Sequence, residues 1–261
     1  MGTEDKKGFL LEEMTWPEAE AAFRDVGIMV IPVGAVCKEH GPHLPLNTDF
    51  LLADHLRRHI ARAYRVVVAP VVGWGYYPTF AAYPGSVSLH PETFMCLISD
   101  ICTSFVRQGI RLVIILNTGI STTPPLSIAV RELSRQLGVP FALINLEELG
   151  REVIENLLTQ PAGTHADELE TSLLLAIDAG KVAWDRAVAD FPQTRGLRKT
   201  RLHMPRAVGG PYGFTATGIF GDATAASEEK GKRAWAAILE DLKEIDEIAR
   251  ILEKPEGGKG R

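Results

Sequence analysis

Apolar and polar positions change their period several times along the chain. Ile28–Val33 is an unbroken apolar run, as are residues 66–72 and 112–116, and 141–146 is broken only by Asn145; runs of that length predict strands buried on both faces. Between them the spacing becomes helical: Leu51, Leu52, Leu56 and Ile60 share one face, and segments 91–108 and 125–137 each open on a proline, which fits a first helical turn. Thr15-Trp16-Pro17-Glu18 starts an earlier helix that ends near Asp25. Downstream, Leu173 to Ile177 continue another helical pattern. Residues 225–252 predict one last amphipathic helix, with Ala234, Ile238, Leu242, Ile245 and Ile248 as its apolar stripe. Strand and helix alternating over short connections predict an α/β fold, a three-layer αβα sandwich around a mainly parallel sheet. The pattern supports one domain over residues 11–252, with flexible tails at 1–10 and 253–261, and loops with short strands over 193–221.

Composition narrows the class of function. The 261 residues are 46% hydrophobic and 23% charged, with a net charge of −5, as in ordinary globular proteins. No basic run suggests a nucleic-acid surface, and the longest apolar runs fall short of the ~20 residues that span a bilayer. Cys37, Cys96 and Cys102 lack metal-ligand spacing, and the N-terminal residues lack a signal-peptide core, so the expected compartment is cytoplasmic. A small-molecule substrate is the expected partner.

Chemistry concentrates in two stretches. The first, Glu39-His40-Gly41-Pro42-His43-Leu44-Pro45-Leu46-Asn47-Thr48-Asp49, follows the first long strand and leads into a helix, the place where open α/β sheets bind ligands. A glutamate, two histidines and an aspartate within eleven residues suit a divalent metal such as zinc or manganese. Asp49 also suits a plain helix N-cap. His55 and His59, four apart but flanked by Arg57 and Arg58, are expected to be partly exposed helix residues. The second stretch is Thr164-His165-Ala166-Asp167-Glu168-Leu169-Glu170-Thr171-Ser172. The helix dipole accounts for acidic residues in a first turn, but not for His165, a candidate proton carrier. Helical spacing predicts that His165 and Glu168 share a face, with Glu170 on the other side. The glycines and aromatics of 73–86, with Tyr76, Tyr77 and Ser86, suit a pocket wall; covering the core is the alternative role for Tyr76 and Tyr77. Asn117 and Ser121 are candidate polar contacts to a substrate.

These pieces together resemble the creatininase (creatinine amidohydrolase) family. The resemblance rests on Pro32-Val33-Gly34, on His40-Gly41-Pro42-His43-Leu44-Pro45 with Asp49, and on Tyr83-Pro84-Gly85-Ser86-Val87-Ser88-Leu89. It continues with His165-Ala166, Glu168, Glu170-Thr171-Ser172 and Gly218-Ile219-Phe220-Gly221-Asp222. It implies a homo-oligomer, often a hexamer, and hydrolysis of C–N bonds in cyclic or formylated amides with two divalent metals, here most simply in a small polar cyclic amide. It also implies metal ligation by His40, a bridging Asp49, Glu170 as a further ligand and His165 as proton shuttle. Two positions depart from the pattern. The family's Glu-x-His places a ligand where this chain has Lys38, leaving Glu39 beside His40 as the available carboxylate. The family's Asn-Gly-His-Gly-Gly-Asn becomes Asn117-Thr118-Gly119-Ile120-Ser121-Thr122, with Gly119 at the histidine's place. The expected metal count is therefore open between two, one and none. Without metal, the chain would be a relative that binds or isomerises a small metabolite, with Lys38 and His165 as its reactive pair.

Overall fold

The structure is a computed structural model that describes residues 8–191 and 215–253. Five parallel strands form the central sheet: β1 (Phe9–Leu10), β2 (Ile28–Val33), β3 (Val67–Val68), β4 (Leu112–Asn117) and β5 (Phe141–Asn145), in the spatial order β1-β3-β2-β4-β5. Every residue of β2 and β4 is buried, which explains why both are continuous apolar runs rather than alternating ones. Their register pairs Ile28 with Leu112 and Val33 with Asn117, so the two strands end level with each other.

Helices cover both faces, as the sandwich requires. On one side lie α1 (Trp16–Asp25), α3 (Pro91–Arg107) and α4 (Thr123–Leu137); Phe23 of α1 meets Phe105 of α3 edge to face at 6.1 Å. On the other lie α2 (Thr48–Ala63), α5 (Arg151–Leu157), α6 (Glu168–Asp178) and α7 (Glu228–Asp241), with α8 (Glu244–Glu253) following. A two-stranded antiparallel ribbon, β6 (Ala189–Asp190) with β7 (Gly221–Asp222), lies outside the main sheet. From β2 the chain leaves toward β3, and from the neighbouring β4 it leaves toward β5 on the opposite side. The C-terminal ends of β2 and β4 therefore flank a switch point, where such sheets hold their ligands.

Several boundaries differ from the sequence pattern. Phe9 and Leu10, expected in a flexible tail, form an edge strand against Val67 and Val68. The run at 66–72 keeps only two strand residues, because Pro70 has no N–H for the ladder; Val72 regains a single bridge to Val33. The last helix is two. Around Leu242 and Lys243 the backbone switches to tighter bonds, Lys243 to Glu240 and Ile245 to Leu242, and this turn buries both Leu242 and Ile245. Of the loop region expected at 193–221, only 215–221 lies within the described residues, as does residue 253 of the expected C-terminal tail.

Candidate metal centre

The loop after β2 brings its polar side chains inward. Asn47 stands at the N-cap of α2, so Asp49 lies inside the first turn and its carboxylate is not a cap. Asp49 is fully buried between two cations or donors: Lys38 Nζ lies 2.7 Å from Oδ2, and His40 Nε2 lies 2.9 Å from Oδ1. Burial opposes the Asp49 charge, but Lys38 and His40 outweigh it and hold the carboxyl far below its usual range. The Lys38 ammonium is itself buried, 5.3 Å from the centroid of Phe80 and 5.6 Å from that of Tyr77.

Hydrogen bonds fix the two central histidines. His40 Nδ1 is 2.9 Å from the Lys38 carbonyl, an acceptor only, so Nδ1 carries a proton and donates it. Nε2 then faces a carboxylate oxygen at 2.9 Å, a contact that needs a proton or a metal cation between the two atoms. His165 Nε2 lies 2.9 Å from the Glu39 carbonyl and 3.2 Å from the Glu39 carboxylate, so it too is the protonated nitrogen. Its Nδ1 is left 3.6 Å from Glu170 Oε2. A ring N–H given to a protein acceptor, with the other nitrogen turned to a shared centre, is how metal-ligating histidines are oriented. Donor atoms of His40, His165 and Glu170 lie within 4.8 Å of one another. This imidazole and carboxylate set fits one zinc or manganese ion.

Local backbone geometry builds that convergence. His165 does not belong to α6: its backbone bridges Phe220, and Ala166 takes a left-handed φ of +47° before the helix begins. Asp167 caps α6 by accepting from the Leu169 and Glu170 amides, and Glu170 returns to accept from the Ala166 amide. The expectation that His165 and Glu168 share a helix face therefore fails. Glu168 is buried away from the centre, where it accepts from the Thr159 and Gln160 amides and from Lys230. Those bonds tie the start of α6 to residues 159–160 and to α7, and Glu168, a candidate catalytic residue from the sequence, does not join the His40, His165 and Glu170 group. Glu39, expected as a metal ligand, instead accepts from the Gly41 amide and holds His165. Burial opposes its charge, yet His165 and Gly41 keep it below the usual range. Gly218 leaves room for this arrangement, since a Cβ there would stand 1.9 Å from Glu39 Oε1.

The expected substrate contacts separate into groups. The Tyr77 hydroxyl is buried without a hydrogen-bond partner among the described residues. Burial first, and the Asp49 charge second, keep it a neutral phenol. Tyr76 packs against the hydrophobic core. Ser86 Oγ accepts from the Glu39 amide at 2.9 Å and so braces the loop. Asn117 bonds to Gly119, Thr122 and Thr123 of its own turn and to Asn145 of the neighbouring β5, so both its side-chain polar atoms already have protein partners; Ser121 is half-buried beside it. His43 escaped assignment from the sequence. Its Nε2 meets Thr171 Oγ1 at 2.8 Å, and burial lowers its pKa to about 4.

Residues 12–245 match the sequence profile of the creatininase family, described as creatinine amidohydrolase. The chain belongs to the creatininase family. Its curated relatives differ in what they act on. A 3-dehydro-scyllo-inosose hydrolase of Thermotoga maritima is 28% identical, covering 97% of this chain and 86% of its own. The mycofactocin precursor peptide peptidase of Mycobacterium tuberculosis is 28% identical (88% and 87% covered). The creatinine amidohydrolase of Pseudomonas putida is 29% identical (87% and 91%). Among solved structures, a mutant creatininase in a Zn–Zn form superposes with a TM-score of 0.75 at 25% identity, covering 94% of this chain and 98% of that one. A creatininase with manganese gives 0.75 at 25% identity, over 95% and 100%. The mainly parallel α/β architecture is that of the creatininase structures.

Proposed function

We propose that this protein is a metal-dependent hydrolase that cleaves a C–N bond in a small polar cyclic amide, with one divalent ion held by His40, His165 and Glu170. The observation that carries this reading is the convergence of donor atoms of His40, His165 and Glu170 within 4.8 Å, with one N–H of each histidine committed to a carbonyl of the loop after β2. When bound, such an ion supplies a Lewis acid and an acidified water. The protein's own groups do the rest. Lys38 and Glu39 fix the imidazole tautomers through their carbonyls. The Tyr77 phenol and the Lys38 ammonium are buried donors, suited to a carbonyl oxygen and to the negative charge that develops on it. The rings of Phe80 and Tyr77 keep that charge in an apolar setting, where its interactions are stronger. No helix among the described residues is long and apolar enough to cross a membrane.

This reading makes His165 a ligand rather than the expected proton shuttle. Elemental analysis of His165→Gln beside wild type tests it. Loss of bound zinc in the variant is expected, together with loss of turnover on a panel of cyclic amides. Zinc retained at the wild-type level while turnover is lost would return His165 to the role of proton carrier, backed by Glu39.

A further inference from the structure

We infer that the Lys38 ammonium is a built-in replacement for a second metal ion, so that the site accepts one divalent ion where a Zn–Zn relative accepts two. The inference builds on the single-metal reading above, and it concerns the other side of Asp49.

Asp49 offers two carboxylate oxygens in a fully buried position, the usual arrangement for bridging two cations. Here the two oxygens are not equivalent. Oδ1 faces His40 Nε2 and through it the His40, His165 and Glu170 group. Oδ2 faces the Lys38 ammonium instead, with Nζ at 2.7 Å. An ammonium at that distance occupies the space a metal bound to Oδ2 would need, and its positive charge repels one. The ammonium is held there by its surroundings, with the Phe80 and Tyr77 rings on its flanks and the Lys38 amide bonded to the Leu46 carbonyl at 2.9 Å.

The opposite wall is equally telling. Gly119, two residues beyond β4, faces the same oxygen: a Cβ built there would stand 3.5 Å from Asp49 Oδ2 and 3.4 Å from Thr122 Oγ1. Its φ is −119°, so the backbone does not demand glycine, and those distances are ordinary contacts. A side chain longer than a methyl group would run into the space beside Oδ2 that Lys38 now shares. Lysine at 38 and glycine at 119 thus act on the same oxygen: one supplies a cation to Asp49, and the other offers no side chain that could reach a metal there. The Tyr77 hydroxyl, buried and unpartnered among the described residues, borders the same space: the Cβ built at Gly119 would be 3.8 Å from its ring. A single positive charge replaces a double one, and the donors Lys38 and Tyr77 remain to receive a substrate oxygen.

The test is zinc per chain, by elemental analysis after equilibration with zinc and gel filtration, with circular dichroism as the check of folding. Wild type is expected to hold one equivalent. Lys38→Glu with Gly119→His, which exchanges the cation for a carboxylate and supplies an imidazole, is expected to hold two. Lys38→Gln, a milder variant that keeps a donor without its charge, is expected to show a second, weaker zinc-binding step by calorimetry. Two equivalents in wild type would overturn the inference, as would unchanged stoichiometry in the folded variants. If wild type holds none while the double variant holds one, the role of Lys38 stands and the single-metal reading falls. None in either protein would overturn both.

Discussion

Lys38 and Asp49 illustrate how much a single side chain can redirect. A buried carboxylate without a counter-charge is costly, and here the counter-charge comes from eleven positions upstream, on the loop that leads into α2. The pair is invisible to any search for metal ligands, since a lysine is not one. His43 is a quieter case. Its Nδ1 is buried without a partner among the described residues, and burial holds its pKa near 4 against an ordinary value of 6.5. Between those two values the unfolded chain binds a proton that the folded chain refuses, so this residue makes stability fall as pH drops through that window. Asp167 acts in the opposite sense. Burial, helped by Glu170, raises its pKa to about 6, so its contribution to stability is present at low pH and is lost as pH rises through that value. Comparing His43→Gln with wild type cancels the Asp167 contribution. The stability difference, measured by urea unfolding, should shift in favour of the variant between about pH 7 and about pH 4.5. A difference independent of pH would mean that His43 takes up its proton in the folded state.

Helices α6 and α7 decide whether Glu170 reaches the centre at all. They cross closely because Gly231 of α7 has no side chain: a Cβ there would stand 1.9 Å from the Ser172 carbonyl oxygen. Two bonds lock the crossing, from Trp235 Nε1 to the Leu173 carbonyl at 3.0 Å and from the Ser227 amide to Ser172 Oγ at 3.1 Å. Gly231→Ala should therefore destabilise the protein by about 1–3 kcal/mol in urea unfolding despite alanine's better helix propensity. It should also weaken zinc binding, because α6 moves and carries Glu170 with it. Wild-type affinity in that variant would show that the centre does not depend on the crossing. The helical pattern around Leu173 was legible in the sequence, since its apolar spacing is local. The separation of His165 from that helix was not, because it depends on a left-handed Ala166 and a backbone bridge to Phe220, over fifty residues away.

For the whole molecule, a bound ion would tie the loop after β2 to the start of α6, two segments more than a hundred residues apart. A ligand that binds only the folded state adds about 2.7 kcal/mol at a hundred times its Kd. For a chain of this size that corresponds to roughly 5–10 °C in Tm, so removal of zinc with a chelator should lower Tm by about that much. An unchanged Tm would count against the centre. What the sequence determined by itself was the alternation of buried strands and amphipathic helices, because β2, β4 and the helix stripes are written in side-chain periodicity that any parallel sheet must obey. It also gathered the candidate ligands, since His40, Asp49, His165 and Glu170 lie in two short stretches. Tertiary structure decided what those residues do to one another. It turned Glu168 toward Lys230, placed Glu39 behind His165, committed Asn117 to its own turn and to β5, and set the Lys38 ammonium on Asp49. Each of those outcomes depends on which group is nearest in space after the chain has closed, and on which acceptor a buried proton can reach. Neither is a property of spacing along a sequence.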